Sequence, residues 1–275
     1  MADSWWLKVK RAQKHMVDVR DGLRVYSDGN PYEVVKVRET KRQPNRRRYT
    51  LNFTEQPDPM LVTVLADFVH NLRSALDQIV VACSEPKYRK TASFPISYTN
   101  IWESDLVSGE FVSPDKKARE RFAMAIRGLS DGARKAILAA QPYWLGDDAG
   151  DAIVGIMSRL ENADKHRELI TVSNVVEAPV VALWIDGEYI PNPKVPRISR
   201  RTYFEEGTII VDIAPGDTTR QAKVKVECSG TAVVAIKVQG VRGESRPENF
   251  PVRKLMVDSL QGTRRILRSL EPFVK

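Results

Sequence analysis

The sequence predicts an α+β fold, and three observations carry that expectation. Apolar residues recur at helical spacing through most of residues 1–168, β-branched residues alternate with polar ones from 169 onward, and the final stretch returns to helical spacing. A chain of 275 residues with 42% hydrophobic and 28% charged residues can bury a core without disulfides or metal. The expected organisation is a mainly helical part, 1–168, that includes an N-terminal basic β-hairpin, and an antiparallel β part, 169–275, with a closing C-terminal helix. Only a short turn could separate the two, so they are expected to be closely joined.

Each element has its own signal. Ser4 is placed to cap a first helix over 4–26, whose apolar stripe is Trp5, Val9, Ala12, Met16, Val19 and Leu23. After the turn "SDGNPY", the alternating runs "YEVVKVRE" and "RRYTLNFTE" read as two strands joined by the basic "TKRQPNRR". Asp58 and Pro59 suit the start of a helix running to Cys83, with Leu61, Leu65, Phe68, Leu72, Ala75, Leu76 and Ile79 on one face. An irregular stretch containing "SFPIS" follows. Three more helices are then expected over "DKKARERFAMAIRGL", "SDGARKAILAAQ" and "DAIVGIMSRLENADKHREL", punctuated at Ser130, Asp131 and "PYWLGDDAGD". The runs "LITVSNV", "APVVALWID", "TIIVDIA", "QAKVKVEC" and "TAVVAIKVQ" read as antiparallel strands, and "FPVRKLMVDSLQGTRRILRSLEPF" closes the chain as a helix.

Several chemistries find no template. There is no P-loop, no GxGxxG after a strand, no GxSxG elbow and no HExxH, and three histidines are too few for a multi-histidine site. No cofactor and no metal are expected. In "DDAGD" the flanking glycines favour a loop ending in a cap at Asp151 over magnesium binding. Cys83 and Cys228 form no CxxC, which suits a reducing cytoplasm, and neither a secretory signal nor a membrane span is legible.

The net charge of +8 is concentrated. Residues 8–48 hold thirteen Lys/Arg against five Asp/Glu, a local excess equal to that of the whole chain. Lys41, Arg42, Arg46, Arg47 and Arg48 in the hairpin are therefore the candidate nucleic-acid-binding residues, with RNA or another polyanion as the expected partner. A solvated hairpin tip beside a solvated helix face would explain the same charge.

Two polar helix faces are candidates for chemistry. Arg159 and His166 differ by about 20° around a helix, with Asn162 within a turn of both. On the helix around His70, Asp67, His70, Asn71, Ser74 and Asp77 lie opposite Phe68, Leu72, Ala75 and Ile79. If the faces meet, imidazole, carboxylate and guanidinium groups could move protons and hold a phosphate. The same residues could equally form a structural polar cluster at a helix end. His15, in the charged first helix, is expected to be exposed and uninvolved.

The pieces "WLKVKRAQKH", "NPYEVVKV", "DFVHNLRSALDQIV", "FPIS", "GLSDGARKAI", "QPY" and "NADKHREL", in this order over about residues 5–172, resemble a widespread group of uncharacterised actinobacterial and phage-associated proteins. That resemblance implies no particular activity. Arg159, six intervening residues and His166 also resemble the R-x4-6-H pattern of HEPN-type proteins, helical and often dimeric ribonucleases of toxin and phage-defence systems. This second resemblance implies a metal-independent ribonuclease in which His166 assists attack by the RNA 2′-hydroxyl and Arg159 stabilises the phosphate, at a homodimer interface. Two functions therefore stand side by side. One is a binding or regulatory protein that uses the basic hairpin on nucleic acid or an acidic partner; the other is a ribonuclease with Arg159, Asn162, His166 and His70 at its site.

Overall fold

The computed structural model describes residues 4–38, 46–98, 116–165, 171–191, 203–214, 221–238 and 248–275. The fold is α+β. Its helices are α1 (Ser4–Asp28), α2 (Met60–Cys83), α3 (Lys116–Ile126), α4 (Asp131–Ala139), α5 (Ile153–Lys165) and α6 (Val252–Leu270). Its strands are β1 (Tyr32–Lys36), β2 (Arg47–Phe53), β3 (Thr171–Ile185), β4 (Glu188–Ile190), β5 (Tyr203–Glu205), β6 (Ile209–Ile213), β7 (Val224–Val238) and β8 (Glu248–Pro251). Among the described residues no helix is long and apolar enough to cross a membrane.

The chain forms two compact units that interleave along the sequence. The first comprises Met1–Arg20, Met60–Thr171 and Lys237–Lys275; the second comprises Asp21–Pro59 and Val172–Ile236. The basic hairpin thus groups with the later strands, and the closing helix groups with α2 to α5.

In the first unit α2, α5 and α6 pack on one another, and α4 packs on α6. Leu65, Phe68, Leu72, Leu76 and Ile79 of α2 are fully buried, as are Ile137, Ile156, Met157, Leu267 and Leu270. Gly262 lets α6 approach α5: a Cβ there would lie 2.9 Å from Ile153 Cγ2. Ser130 caps α4, accepting from the Ala133 amide at 3.4 Å, as its place before an apolar run requires. The "PYWLGDDAGD" segment is two short 3-10 turns kinked at Gly146, whose φ of 57° is open to glycine; the side chains of Asp147, Asp148 and Asp151 lie outside the described residues.

His15 departs from expectation: it is only 7% exposed. It lies about 60° from Ala12 around α1, just beyond the edge of the arc that holds Trp5, Val9, Ala12 and Val19, yet it is buried with them. Burial pushes its imidazole below the ordinary 6.5, helped by Arg11 and Lys14 and opposed by Asp67 and Asp18. The neutral ring is then the folded form, so the unfolded chain binds more protons just below pH 6.5. Stability is full above that value and falls as pH drops through the window beneath it. His15→Gln is expected to flatten the decline in urea midpoint between about pH 7 and about pH 5 relative to wild type; parallel pH profiles would contradict this.

In the second unit β1, β2 and β6 form an antiparallel sheet in that order, with Tyr32 opposite Phe53 and Arg47 opposite Ile213. A register shift falls between Tyr49 and Thr50. The Tyr32 ring meets Phe53 edge-on at 6.1 Å, and its hydroxyl donates to Gly230 O at 2.9 Å.

A second sheet places β3 between β4 and β7, with β5 also pairing β3. The sequence suggests two strands broken before Pro179; the protein forms one, Thr171–Ile185. On this edge β5 pairs residues 175–177 and β4 pairs 183–185, so Pro179, with no N–H to donate, falls in the gap between them. β3 turns into β4 through Asp186 and Gly187, both at positive φ (53° and 87°), the two-residue turn that suits a twisted hairpin.

A candidate site between two helices, and the basic hairpin

The polar surfaces of α2 and α5 meet. Their meeting point is Glu161, a residue that the sequence reading left out. Its carboxylate lies 3.5 Å from Arg73 Nε and 3.7 Å from His70 Nδ1. The Glu161 and Arg73 side chains are largely buried, at 11% and 14% exposure, whereas His70 is open to solvent. The Arg73 guanidinium also pairs with Asp77 at 3.3 Å, donates to Phe94 O, and sits over the Phe94 ring at 5.8 Å. Its Nη1 is buried with no hydrogen-bond partner among the described residues.

The loop after α2 is stitched into the same place. Phe94 N donates to Asp77 Oδ1 at 2.8 Å, and its side chain is fully buried. Ser97 N donates to Gln141 Oε1 at 2.9 Å, while Gln141 Nε2 donates to Pro95 O and Ile137 O at 3.1 and 2.9 Å. Tyr98 donates to Gly155 O at 2.8 Å. The stretches "HNLRSALD", "FPIS", "QPY" and "ENADK" therefore share one connected polar network, through His70, Arg73, Asp77, Phe94, Ser97, Gln141 and Glu161. Backbone groups of a segment without helix or strand are satisfied here by side chains, which is what their burial demands.

The phase of α5 decides which of its polar residues reaches α2. Val154, Ile156, Met157 and Leu160 are buried, and Glu161 lies at the margin of that arc. Arg159 is about 160° away from Glu161, and Asn162 is exposed on the outer side. Arg159 is half-buried beside Tyr98, whose hydroxyl is pushed above its ordinary 10.0 by burial, with the Arg159 charge acting against the shift. His166 lies outside the described residues. Asn71, expected on the polar face of α2, is instead buried, its amide donating to Asp67 O at 2.8 Å. Among the described residues no group of three or more His, Cys, Asp or Glu side chains could hold a metal ion.

The order Ser74, His70, Glu161 is that of a hydroxyl, an imidazole and a carboxylate, with Ser74 Oγ 3.5 Å from His70 Nε2. Ser74 sits inside α2, where neighbouring backbone amides are committed to helix bonds and cannot stabilise an oxyanion. Glu161 is held by Arg73 as well. The arrangement acts as an electrostatic brace between α2, α5 and the loop of residues 94–98.

The hairpin arginines divide by register. In β2, burial alternates, with Arg47, Tyr49, Leu51 and Phe53 all inward. Arg47 thus occupies a core-facing position, and its Nη1 donates to Ala222 O at 2.6 Å. Arg46 and Asp212 form a two-pronged pair at 2.7 and 2.5 Å, which holds the Asp212 carboxyl below its ordinary 3.8. Arg48, half-buried, stands opposite Asp212 on β6 and adds to that lowering. Lys41 and Arg42 lie outside the described residues. Arg46 and Arg47 are thereby tied into the sheet.

No family model matches this chain, and no curated protein or solved structure matches it either.

Proposed function

We propose that this protein is a nucleic-acid-binding module whose basic hairpin contacts phosphate through Lys41, Arg42 and Arg48. The observation that supports this reading is the excess of thirteen Lys/Arg over five Asp/Glu within residues 8–48, with Arg46 and Arg47 anchoring the base of the hairpin to Asp212 and Ala222 O. Such a root gives the basic segment a fixed origin. In this reading the α2–α5 network is structural, and the similarity to actinobacterial and phage-associated proteins belongs to the same proposal.

The test is binding of a labelled RNA in EDTA as salt is raised. Lys41→Gln, Arg42→Gln and Arg48→Gln together are expected to reduce the slope of log affinity against log salt by about 2. Arg47 is left intact because its replacement would strand a core-facing position. Unchanged binding by the triple variant would overturn the role of the hairpin. Cleavage of the RNA in EDTA, abolished by His166→Ala, would instead favour the HEPN-type reading at His166.

A further inference from the structure

A second set of unpartnered charge lies on α6, far along the sequence from the hairpin. This helix carries five basic residues, Arg253, Lys254, Arg264, Arg265 and Arg268, and one acid, Asp258. Lys254 and Asp258 pair at 3.9 Å, both exposed. Arg253, Arg264, Arg265 and Arg268 make no ion pair or hydrogen bond among the described residues. At 100° per residue the five basic side chains fall within an arc of about 120°, and Arg253 to Arg268 spans about 22 Å of helix.

The opposite face of α6 fixes it as a platform. Leu255, Met256, Leu260, Ile266, Leu267 and Leu270 are buried against α2, α4 and α5. Because that apolar face is already covered, α6 is not available to lie in a membrane interface, where binding requires apolar burial into the lipid. No aromatic residue occurs in the helix, so it lacks the aromatic platforms on which single-strand binders stack successive bases. A row of guanidinium groups on one helix face, without aromatic platforms beside it, matches a surface that is itself rigid and densely anionic. Double-helical nucleic acid presents one negative charge per roughly 1.7 Å of its axis.

We infer that the outer face of α6 binds the phosphate backbone of double-helical nucleic acid through Arg253, Arg264, Arg265 and Arg268, without reading sequence. Guanidinium groups bond phosphate oxygens in a two-pronged manner, and contacts confined to phosphate fix position but not base identity. The inference concerns a different surface from the hairpin and stands whether or not the hairpin binds.

The experiment titrates the intact protein against a labelled DNA duplex of about 20 base pairs, long enough to cover the stripe, between about 50 and about 200 mM salt. Four phosphate contacts give a slope of about −3.6, or about a 100-fold loss of affinity over that range. Arg253→Gln, Arg264→Gln, Arg265→Gln and Arg268→Gln together should remove most of that slope, both in the wild-type chain and in the chain carrying the hairpin substitutions. The four Arg→Lys replacements should retain most of it, since the charge remains. All four α6 side chains are exposed or half-exposed, and an unchanged thermal melt confirms that the fold is intact. Absence of duplex binding at low salt, or an unchanged slope in the glutamine variant, overturns the inference. Equal, α6-dependent binding of polyglutamate or of a single-stranded oligothymidylate overturns the assignment to a duplex. If the hairpin variant alone loses binding, the hairpin proposal survives and this one fails; the reverse result separates them in the other direction.

Discussion

Glu161→Ala is expected to destabilise the first unit by about 3 kcal/mol, a fall in Tm of roughly 6 °C. The cost comes less from the lost attraction than from what stays behind. Arg73 remains largely buried, and one of its two carboxylate partners is gone. A buried guanidinium cannot shed its charge, so it must draw in water or pull its helix outward. Asp77 and Phe94 O still hold it in part, which keeps the cost toward the lower end for a broken buried pair. Replacing both partners together, Arg73→Met with Glu161→Leu, should recover much of the loss, because no uncompensated charge then remains. His70→Ala should cost less than about 0.5 kcal/mol, since its contact to Glu161 is long and solvent-exposed. Urea denaturation of the four proteins checks the set. Equal stability of Glu161→Ala and wild type would mean that the brace contributes nothing.

Phe94→Ala should be costlier still, about 4 kcal/mol. The ring is fully buried, and its removal leaves a cavity in a close-packed interior that relaxes only in part. It also removes the aromatic face beneath Arg73. Phe94→Leu keeps most of the volume and should lose only about 1 kcal/mol. Leu7→Ala, at a position 65% exposed, should be within about 0.5 kcal/mol of wild type. Urea midpoints at constant m-value decide between them; a Phe94→Ala midpoint equal to that of Leu7→Ala would refute the packing argument.

How much of this was legible without coordinates varies with the range of the physics involved. Periodicity gives the class, the six α-helices among the described residues and the main strands, because each depends on residues within one or two turns. The burial of Arg47 is also in the sequence: Phe53, Leu51 and Tyr49 set a period of two that carries inward to position 47. The phase of α5 is legible in the same way, since Val154, Ile156, Met157 and Leu160 put Asn162 outermost and Glu161 at the margin. A short motif, Arg159 with His166, draws attention away from that apolar arc. The burial of His15 turns on a difference of tens of degrees at the edge of a stripe, which spacing alone does not resolve.

Long-range pairing is another matter. A single cut at 168 follows the change of texture along the chain, but texture does not say that α6 packs beside α2 and α5 while β1 and β2 pair toward β6. Nor does a whole-chain charge balance reveal α6. Its excess of four positive charges is cancelled by acids elsewhere in sequence, and only the buried face of the helix shows that the arginines share one side.

That placement of α6 sets an order on biosynthesis. The ribosome delivers α2 and α5 long before the helix that covers them, and more than eighty residues intervene between the end of α5 and the start of α6. Until those residues emerge, Leu72, Leu76, Met157 and their neighbours have no complete partner, and the nascent helical unit must wait with its oily surfaces in water. A helix that emerges more than eighty residues later is the one that lets α2 and α5 close.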